Sequence, residues 1–342
     1  MGDESWGQLL PRLFASAGIP LGSGFEVEPL TGGVSSDIVR IRMADGRDFC
    51  AKRALRKLKV ASDWQAPLER NHYEVAWLRR AGEIVPGAVP RVLGEDRELG
   101  VALLEYLPPE RYRLWKSELL AGRVADGVAA AVAAVLGRIH AATLNSAATA
   151  AEFPTDDLIE ALRLDPYLRH TATRHPELAE PLLKVVERTA ATKQALVHGD
   201  VSPKNILIAN RDRQPVLLDA ECAWYGDPAF DAGFCLNHLV LKAVHLPALG
   251  DRLLDEAKIF AEQWLAQLPG ALHPELTERT AALLPCLMLA RVDGKSPVEY
   301  LSDAHRQLVR EIAMPAIRQS PESIPALLEG VRAELAARGE RA

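Results

Sequence analysis

One segment of the 342-residue sequence constrains the fold more than any other, and it runs from Leu196 to Gly233. It contains three short apolar runs, LVHGD, NILIAN and PVLLDA, inside a C-terminal part whose pattern is otherwise helical. Runs of about four to six residues are too short for independent helices and are typical of strands. The sequence therefore predicts a small β structure that brings the polar residues at the ends of these runs together.

The polar residues of this segment suit phosphoryl transfer. Asp200 ends the first run, Asn205 begins the second, Asp219 lies near the end of the third, and Glu221 follows it. Transfer of a phosphoryl group to an alcohol needs a carboxylate at the hydroxyl and oxygen ligands that hold Mg²⁺ on the nucleotide phosphates. Asp200, Asn205 and Asp219 supply that set. Turn formation alone is the alternative, since Asp, Asn and Gly are common between strands.

The string His198-Gly199-Asp200, followed by Asn205 and Asp219, resembles the catalytic loop and metal-binding segment of eukaryotic-like kinases. Its HGDxxxxN form is similar to that of aminoglycoside phosphotransferases, choline kinases and methylthioribose kinases. Protein kinases carry HRDLKxxN and DFG instead. These differences favour the small-molecule branch of the kinase-like enzymes.

The resemblance implies a role for each of these residues. It implies that Asp200 is the catalytic base or the residue that orients the acceptor hydroxyl. It implies that Asn205 and Asp219 are metal ligands, and that Glu221 is a further metal or substrate contact.

Other residues near the segment are candidates for support or packing. Asp231 resembles the family aspartate that braces the catalytic loop by accepting backbone hydrogen bonds; a helix N-cap is the alternative. His198 is a further candidate for structural support of the loop. Trp224 either shapes the acceptor pocket or packs in the core. His140 and His238 lie in helical segments, and we interpret them as packing residues.

The N-terminal part has a different pattern. Between Phe25 and Tyr106, short β-like runs alternate with Gly, Asp and Pro, and the run PLERNHYEVAWLRRAG is helical. A short helix is predicted over residues 4–17. The pattern therefore indicates a small sheet with one helix.

A nucleotide site is predicted in this sheet. Lys52 lies in the strand-like run FCAKRAL, and Glu74 lies on the predicted helix. A kinase needs a Lys on the α- and β-phosphates and a helix Glu that holds it. Glu69 and Arg70 are alternative partners on the same helix.

Two further segments are candidates for ATP contacts. The stretch LTGGVSSDIV lies between two β-like runs, where a loop that covers phosphates belongs. A plain β-turn is the alternative there, and an ordinary strand end is the alternative at the predicted hinge. The candidate residues are Gly32, Gly33, Ser35 and Ser36 in the loop, and Glu105 and Leu107 at the hinge.

These observations lead to one fold prediction. We expect an α+β, bilobal protein-kinase-like fold, with an N-lobe over residues 1–106 and a C-lobe over residues 107–342. The N-lobe holds ATP, and the mainly helical C-lobe carries the catalytic loop, the metal site and the acceptor site. Residues 114–143 are predicted to be helical because they are rich in Ala and Leu.

Composition indicates a small-molecule partner. The sequence carries 40 basic and 46 acidic residues, a net charge of −6, which argues against nucleic acid or an anionic membrane as the partner. The N-terminus is acidic where a signal peptide is basic, and no apolar run reaches the roughly 18 residues of a membrane span. We therefore predict a cytoplasmic protein, and its oligomeric state stays open.

The resemblance to methylthioribose kinases extends over residues 25–245 and predicts a sugar or polyol acceptor such as a methylthioribose-like compound. This chain has Asn205 where those kinases carry a Ser-type residue. It has Arg291 alone, followed by Asp293, where they carry a sugar-binding Arg pair. Arg291 and Asp293 are predicted to bind the acceptor, and a solvated helix end is the alternative. An aminoglycoside phosphotransferase and an inactive nucleotide-binding protein are alternative functions.

Overall fold

The structure of the protein is a computed structural model that describes residues 5–22, 24–30, 35–55 and 67–339. Gly32 and Gly33, the predicted phosphate-loop glycines, lie outside the described residues.

The described N-terminal part forms one antiparallel sheet of five strands in the order β1-β2-β3-β5-β4. One helix precedes the sheet, and a second helix connects β3 to β4. The elements are α1 (Trp6–Ser16), β1 (Phe25–Pro29), β2 (Ser36–Met43), β3 (Asp48–Ala54), α2 (Arg70–Ile84), β4 (Val92–Asp96) and β5 (Val101–Glu105). The predicted small sheet with its helix is therefore confirmed.

The alternation of side chains along β3 decides where Lys52 points. Phe49 and Ala51 pack with α1 in one apolar cluster, whereas Cys50 packs against the separate core shared by α2 and the helical lobe. Successive strand residues face opposite sides of a sheet. Lys52 therefore lies on the side turned away from α1, towards α2 and the helical lobe.

The rest of the chain is mainly helical and contains two small antiparallel sheets, β7 with β10, and β6-β8-β9. A π-helical segment spans Glu160–Arg169. The strands are β6 (Tyr112–Leu114), β7 (Ala195–Val197), β8 (Ile206–Ala209), β9 (Pro215–Leu217) and β10 (Trp224–Gly226). The helices are α3 (Trp115–Leu120), α4 (Val128–Thr143), α5 (Ala147–Glu152), α6 (Asp156–Ile159), α7 (His170–Arg174), α8 (Ala179–Ala191), α9 (Pro228–His245), α10 (Gly250–Leu265), α11 (His273–Asp293), α12 (Asp303–Gln319) and α13 (Ile324–Gly339).

The architecture confirms the predicted α+β, bilobal kinase-like fold and corrects one element within it. The continuous helical stretch predicted over residues 114–143 is divided into α3 and α4. Gly122 and Gly127 lie between these helices at φ values of 74° and 81°. Glycine adopts this left-handed conformation without the steric cost that other residues bear, so the two glycines end one helix and begin the next.

Helix α9 forms the centre of the helical lobe and is buried along nearly its whole length. Helices α10 and α11 pack against it. Within the described ranges, no single helix is both long and apolar enough to cross a membrane. Helix α9 and the following segment Pro247–Leu265 meet the length and composition together, with a 120° bend between them.

Candidate active site

The three predicted β runs are β7, β8 and β9, and the candidate catalytic residues lie at their ends. His198, Gly199 and Asp200 follow β7. Gly199 has a φ of 77°, and a Cβ atom there would overlap the carbonyl oxygen of Cys222. Only glycine fits this position, which gives a physical reason for the HGD string.

Asp231 connects this loop to α9. Its fully buried carboxylate accepts hydrogen bonds from the backbone N–H groups of His198, at 2.7 Å, and Gly199, at 2.8 Å. The N-cap of α9 is a different residue, Asp227, which accepts from the N–H of Ala229. The side chain of Asp231 thus reaches the loop rather than its own helix terminus.

A buried chain of hydrogen bonds continues from Asp231 into the core. The indole N–H of Trp264 donates to His140 Nδ1 at 3.0 Å, and His140 Nε2 lies 3.2 Å from the Asp231 carboxylate. Because an indole nitrogen can only donate, Nδ1 is the acceptor and the His140 proton is on Nε2, directed at Asp231. His140 therefore contacts Asp231, the residue that supports the loop, rather than the reacting groups.

We expect Asp231→Ala to destabilise the fold by about 2 to 5 kcal/mol, because it leaves two buried backbone N–H groups and His140 without their acceptor. Urea denaturation with an unchanged m-value would measure this loss. Asp231→Asn keeps one oxygen acceptor and should lose less. Equal stability of the Ala variant and the original protein would contradict a bracing role.

Asp200 is almost completely buried and has three polar partners. Its Oδ2 atom lies 2.9 Å from Arg163 Nη2 and 3.1 Å from Lys204 Nζ, and it accepts a hydrogen bond from Asn205 Nδ2 at 2.9 Å. Burial alone would raise the pKa of the Asp200 carboxyl, but Lys204 and Arg163 lower it below its ordinary value. Asp200 therefore stays ionised at neutral pH.

The sequence interpretation missed Arg163 and Lys204. Lys204 could have been found, because it adjoins Asn205 within the catalytic loop. Arg163 has no such signal: it comes from the distant π-helical segment, where its Nε donates to the carbonyl of Gly199 at 2.7 Å. Helices of this kind occur often at functional sites.

Lys52 links the sheet to the helical lobe. Its Nζ atom donates to Glu74 Oε1 at 2.8 Å and also contacts the carboxylate of Asp219. Burial acts to lower the pKa of Lys52, but the Asp219 and Glu74 carboxylates outweigh it and raise the pKa above its usual value. The structure thus pairs Lys52 with Glu74, and Glu69 lies at the exposed N-cap of α2.

Arg70 also reaches the helical lobe from α2. Its Nε donates to Glu221 Oε2 at 3.0 Å, and its Nη2 donates to the carbonyl of Ser35 at 2.7 Å. One oxygen of Glu221 is therefore occupied by an ion pair. Ser36 begins β2, and its hydroxyl is buried without a hydrogen-bond partner in the described part of the chain.

The predicted hinge residues lie where the sheet lobe joins the helical lobe. Glu105 ends β5, where its N–H donates to the carbonyl of Arg91 at 2.9 Å and its carboxylate pairs with the Arg91 side chain. Leu107 is half-buried in the stretch that connects β5 to β6.

Two oxygen atoms near Asp200 fit a hard divalent cation. Asn205 donates through Nδ2, so its Oδ1 is available, and only Oδ1 of Asp219 is used by Lys52. Burial would raise the pKa of Asp219, but Lys52 and Lys204 lower it. The described residues contain no group of three His, Cys, Asp or Glu side chains placed for a metal.

Asp200 lines a cleft of about 210 Å³ in the helical lobe. Arg291 also lines it, and its Nη1 donates to the hydroxyl of Tyr167 at 3.2 Å and to that of Ser296 at 3.0 Å. His238, interpreted from the sequence as a packing residue, lines the cleft as well. The segment around Arg291 thus shares a cleft with the catalytic loop.

Two of the candidate acceptor residues, Asp293 and Trp224, have partners outside the cleft in the structure. Asp293 does not line the cleft: its carboxylate accepts from His175 at 2.9 Å and from both arms of Arg310. Trp224 is fully buried in β10, and its indole N–H donates to Asp156 at 2.6 Å. Both side chains are therefore committed to packing and internal pairing.

The fold and the convergence of these side chains correspond to a kinase-like phosphotransferase. Residues 26–268 match the phosphotransferase enzyme family, and the chain belongs to this family, as its sequence resemblance predicted.

Two curated relatives are methylthioribose kinases. That of Yersinia enterocolitica is 27% identical over 239 residues, which cover 62% of this chain and 59% of the relative. That of Pectobacterium atrosepticum is 28% identical over 219 residues, which cover 56% of this chain and 53% of the relative. The matched region thus spans little more than half the length of these relatives.

Solved structures share the fold. The Plasmodium vivax ethanolamine kinase aligns with a TM-score of 0.56 at 13% identity, covering 86% of this chain and 84% of its own. A macrolide 2'-phosphotransferase from Brachybacterium faecium aligns with a TM-score of 0.50 at 20% identity, covering 92% and 99%. At these identities the likeness concerns the fold alone.

Proposed function

We propose that this protein is an ATP- and Mg²⁺-dependent kinase that transfers the γ-phosphoryl group of ATP to a hydroxyl of a small molecule. One observation carries the proposal: Lys52 of the sheet lobe contacts Asp219 of the helical lobe, and Asn205 donates to the buried carboxylate of Asp200. In this proposal residues 1–106 form the ATP-binding lobe and residues 107–342 form the acceptor lobe.

The sheet lobe would bind the nucleotide. Lys52, held by Glu74, would contact the α- and β-phosphates when Asp219 binds the metal instead of Lys52. The loop residues Gly32, Gly33, Ser35 and Ser36 would cover the phosphates. The backbone near Glu105 and Leu107 would contact adenine. Support comes from the buried Ser36 hydroxyl, which has no hydrogen-bond partner among the described residues and could donate to a phosphate oxygen.

The helical lobe would position the acceptor. Asn205 and Asp219 would hold Mg²⁺, which neutralises charge on the phosphates. Glu221, one oxygen of which is already paired with Arg70, would be a further contact of the metal or the acceptor. The acceptor oxygen bonds to the γ-phosphorus as the bond to the leaving ADP oxygen breaks, and the hydroxyl proton passes to Asp200. Because its pKa is lowered, Asp200 is a weak base and mainly orients the hydroxyl. It accepts the proton late in the reaction, when the bond to phosphorus has made the hydroxyl more acidic.

The acceptor we propose is a sugar or polyol, such as a methylthioribose-like compound. The methylthioribose kinases among the relatives support this class. The cleft of about 210 Å³ also supports it, because pockets for drug-sized ligands measure roughly 300 to 1,000 Å³.

The test is ADP release by the purified protein with ATP and Mg²⁺ in the presence of ribose derivatives, polyols and aminoglycosides. We expect turnover with at least one sugar or polyol, and loss of turnover when EDTA removes the metal. Failure of Mg·ATP to bind, measured by calorimetry, together with absence of turnover, would refute the kinase assignment.

A further inference from the structure

The cleft beside Asp200 is basic, although the whole chain has a net charge of −6. All of its charged residues belong to the helical lobe, so the charge lies on the acceptor side rather than in the sheet. The cations are Lys116, Lys204, Lys242 and Arg291, and the carboxylates are Asp200 and Glu299.

Two of the four cations have carboxylate partners within the protein. Lys204 pairs with Asp200 at 3.1 Å, and Lys116 pairs with Glu299. No ion pair joins Lys242 or Arg291 to a carboxylate in the described ranges, which include every residue of the cleft. Two basic side chains of the cleft therefore have no carboxylate partner among the described residues.

Lys242 is the more demanding of the two. It is only 1% exposed on α9, and its contacts are the carbonyl of His238 at 3.4 Å and the ring face of Tyr300 at 5.1 Å. Burial and the neighbouring charge of Lys116 lower the pKa of Lys242 to about 7. A buried ammonium without an anion is costly, and a bound anion would remove that cost.

Arg291 presents a second unmatched group to the same cleft. Its partners are the hydroxyl of Tyr167 and atoms of Ser296, and its buried Nε has no hydrogen-bond partner within the described residues. The Tyr300 hydroxyl is also buried and unpartnered there. A guanidinium suits carboxylate and phosphate oxygens, to which it can donate two parallel hydrogen bonds.

We propose, on the basis of the kinase function above, that the sugar or polyol acceptor is an anionic derivative rather than a neutral compound such as methylthioribose, and that its carboxylate or phosphate binds Lys242 and Arg291 while its hydroxyl lies at Asp200. All three residues line one cleft of about 210 Å³, so a single small molecule can contact them together. A polycationic acceptor such as an aminoglycoside is disfavoured, because like charges repel.

The first experiment compares matched acceptors with ATP and Mg²⁺. The sets are ribose, ribonate and ribose 5-phosphate; glycerol, glycerate and glycerol 3-phosphate; and glucose, gluconate and glucose 6-phosphate. We expect kcat/KM for the preferred anionic compound to exceed that of its neutral counterpart by roughly 10- to 100-fold. The better of the carboxylate and phosphate members identifies the anion. Neutral acceptors that react as well as the anionic ones would overturn the proposal.

The second experiment uses Lys242→Met, which removes the charge and keeps the apolar stem. Its melting temperature should equal or exceed that of the original protein, because an unpaired buried charge is lost. Inorganic phosphate, compared with chloride at equal ionic strength, should raise the melting temperature of the original protein. From the same measurement, the affinity of the variant for phosphate should be about 10-fold lower. The matched control is Lys184→Met, an exposed lysine on α8.

The outcomes separate this proposal from the kinase assignment. A Lys242-dependent phosphate affinity, with neither turnover of any acceptor nor binding of Mg·ATP, would support the anion site and refute the kinase function. Turnover with equal phosphate affinities in Lys242→Met and the original protein, and an unchanged ratio of kcat/KM between anionic and neutral acceptors, would keep the kinase and reject the anion site. Equal phosphate affinities, with neither turnover nor binding of Mg·ATP, would reject both.

Discussion

Asp200→Asn is expected to lower kcat by about 10²- to 10⁴-fold and to leave the dissociation constant of Mg·ATP unchanged. The amide has nearly the same shape as the carboxylate but cannot accept the proton of the acceptor hydroxyl. The proposed nucleotide contacts lie elsewhere, on Lys52 and Asp219. Single-turnover kinetics would measure the chemical step, and calorimetry would measure nucleotide affinity.

The matched control for this variant is Asp157→Asn, which changes an exposed carboxylate at the start of α6. Its kcat should equal that of the original protein. Asp200→Asn also removes the negative partner of Arg163 and Lys204, so its melting temperature must be measured beside its rate. A folded Asp200→Asn protein with near-normal turnover would remove Asp200 from the proposed mechanism.

The parts of the site that follow local rules could be predicted from the sequence. Lys52 alternates with the apolar residues Phe49 and Ala51 along its strand, and this alternation can be recognised in the sequence. Asp200 and Asn205 adjoin short apolar runs that form β7 and β8. Strand periodicity and turn chemistry act over a few residues. They are therefore visible without knowledge of the tertiary structure.

The parts that depend on packing between distant elements could not be predicted in this way. Arg163 reaches Asp200 from a π-helical segment, and Lys242 reaches the cleft from the buried helix α9. Asp293 lies only two residues beyond Arg291, yet it turns to Arg310 of α12. Residues two positions apart on a helix do not share a face, so sequence proximity to a cleft residue does not place a side chain in the cleft.

Asp219→Asn should impair the reaction in Mg²⁺ but should not weaken the binding of ATP in the absence of metal. Asp219 has a φ of 64°, a conformation that Asn adopts far more readily than Ala, so Asn is the better probe. Lys52 keeps Glu74 as its partner at 2.8 Å, which should preserve the fold. The control is Asp212→Asn, an exposed loop carboxylate.

In Mg²⁺ the loss of a charged ligand should lower kcat/KM by roughly 10²- to 10⁴-fold, because the metal would no longer be held where it stabilises the transferring phosphoryl group. Without metal, the removal of a negative charge beside the triphosphate should leave ATP affinity equal or improved, since like charges repel. Calorimetric titrations with Mg·ATP and with ATP in EDTA would measure both effects. If Mg²⁺ enhances ATP affinity as much in Asp219→Asn as in the original protein and activity persists, Asp219 is not the metal ligand, and the cation must be held elsewhere.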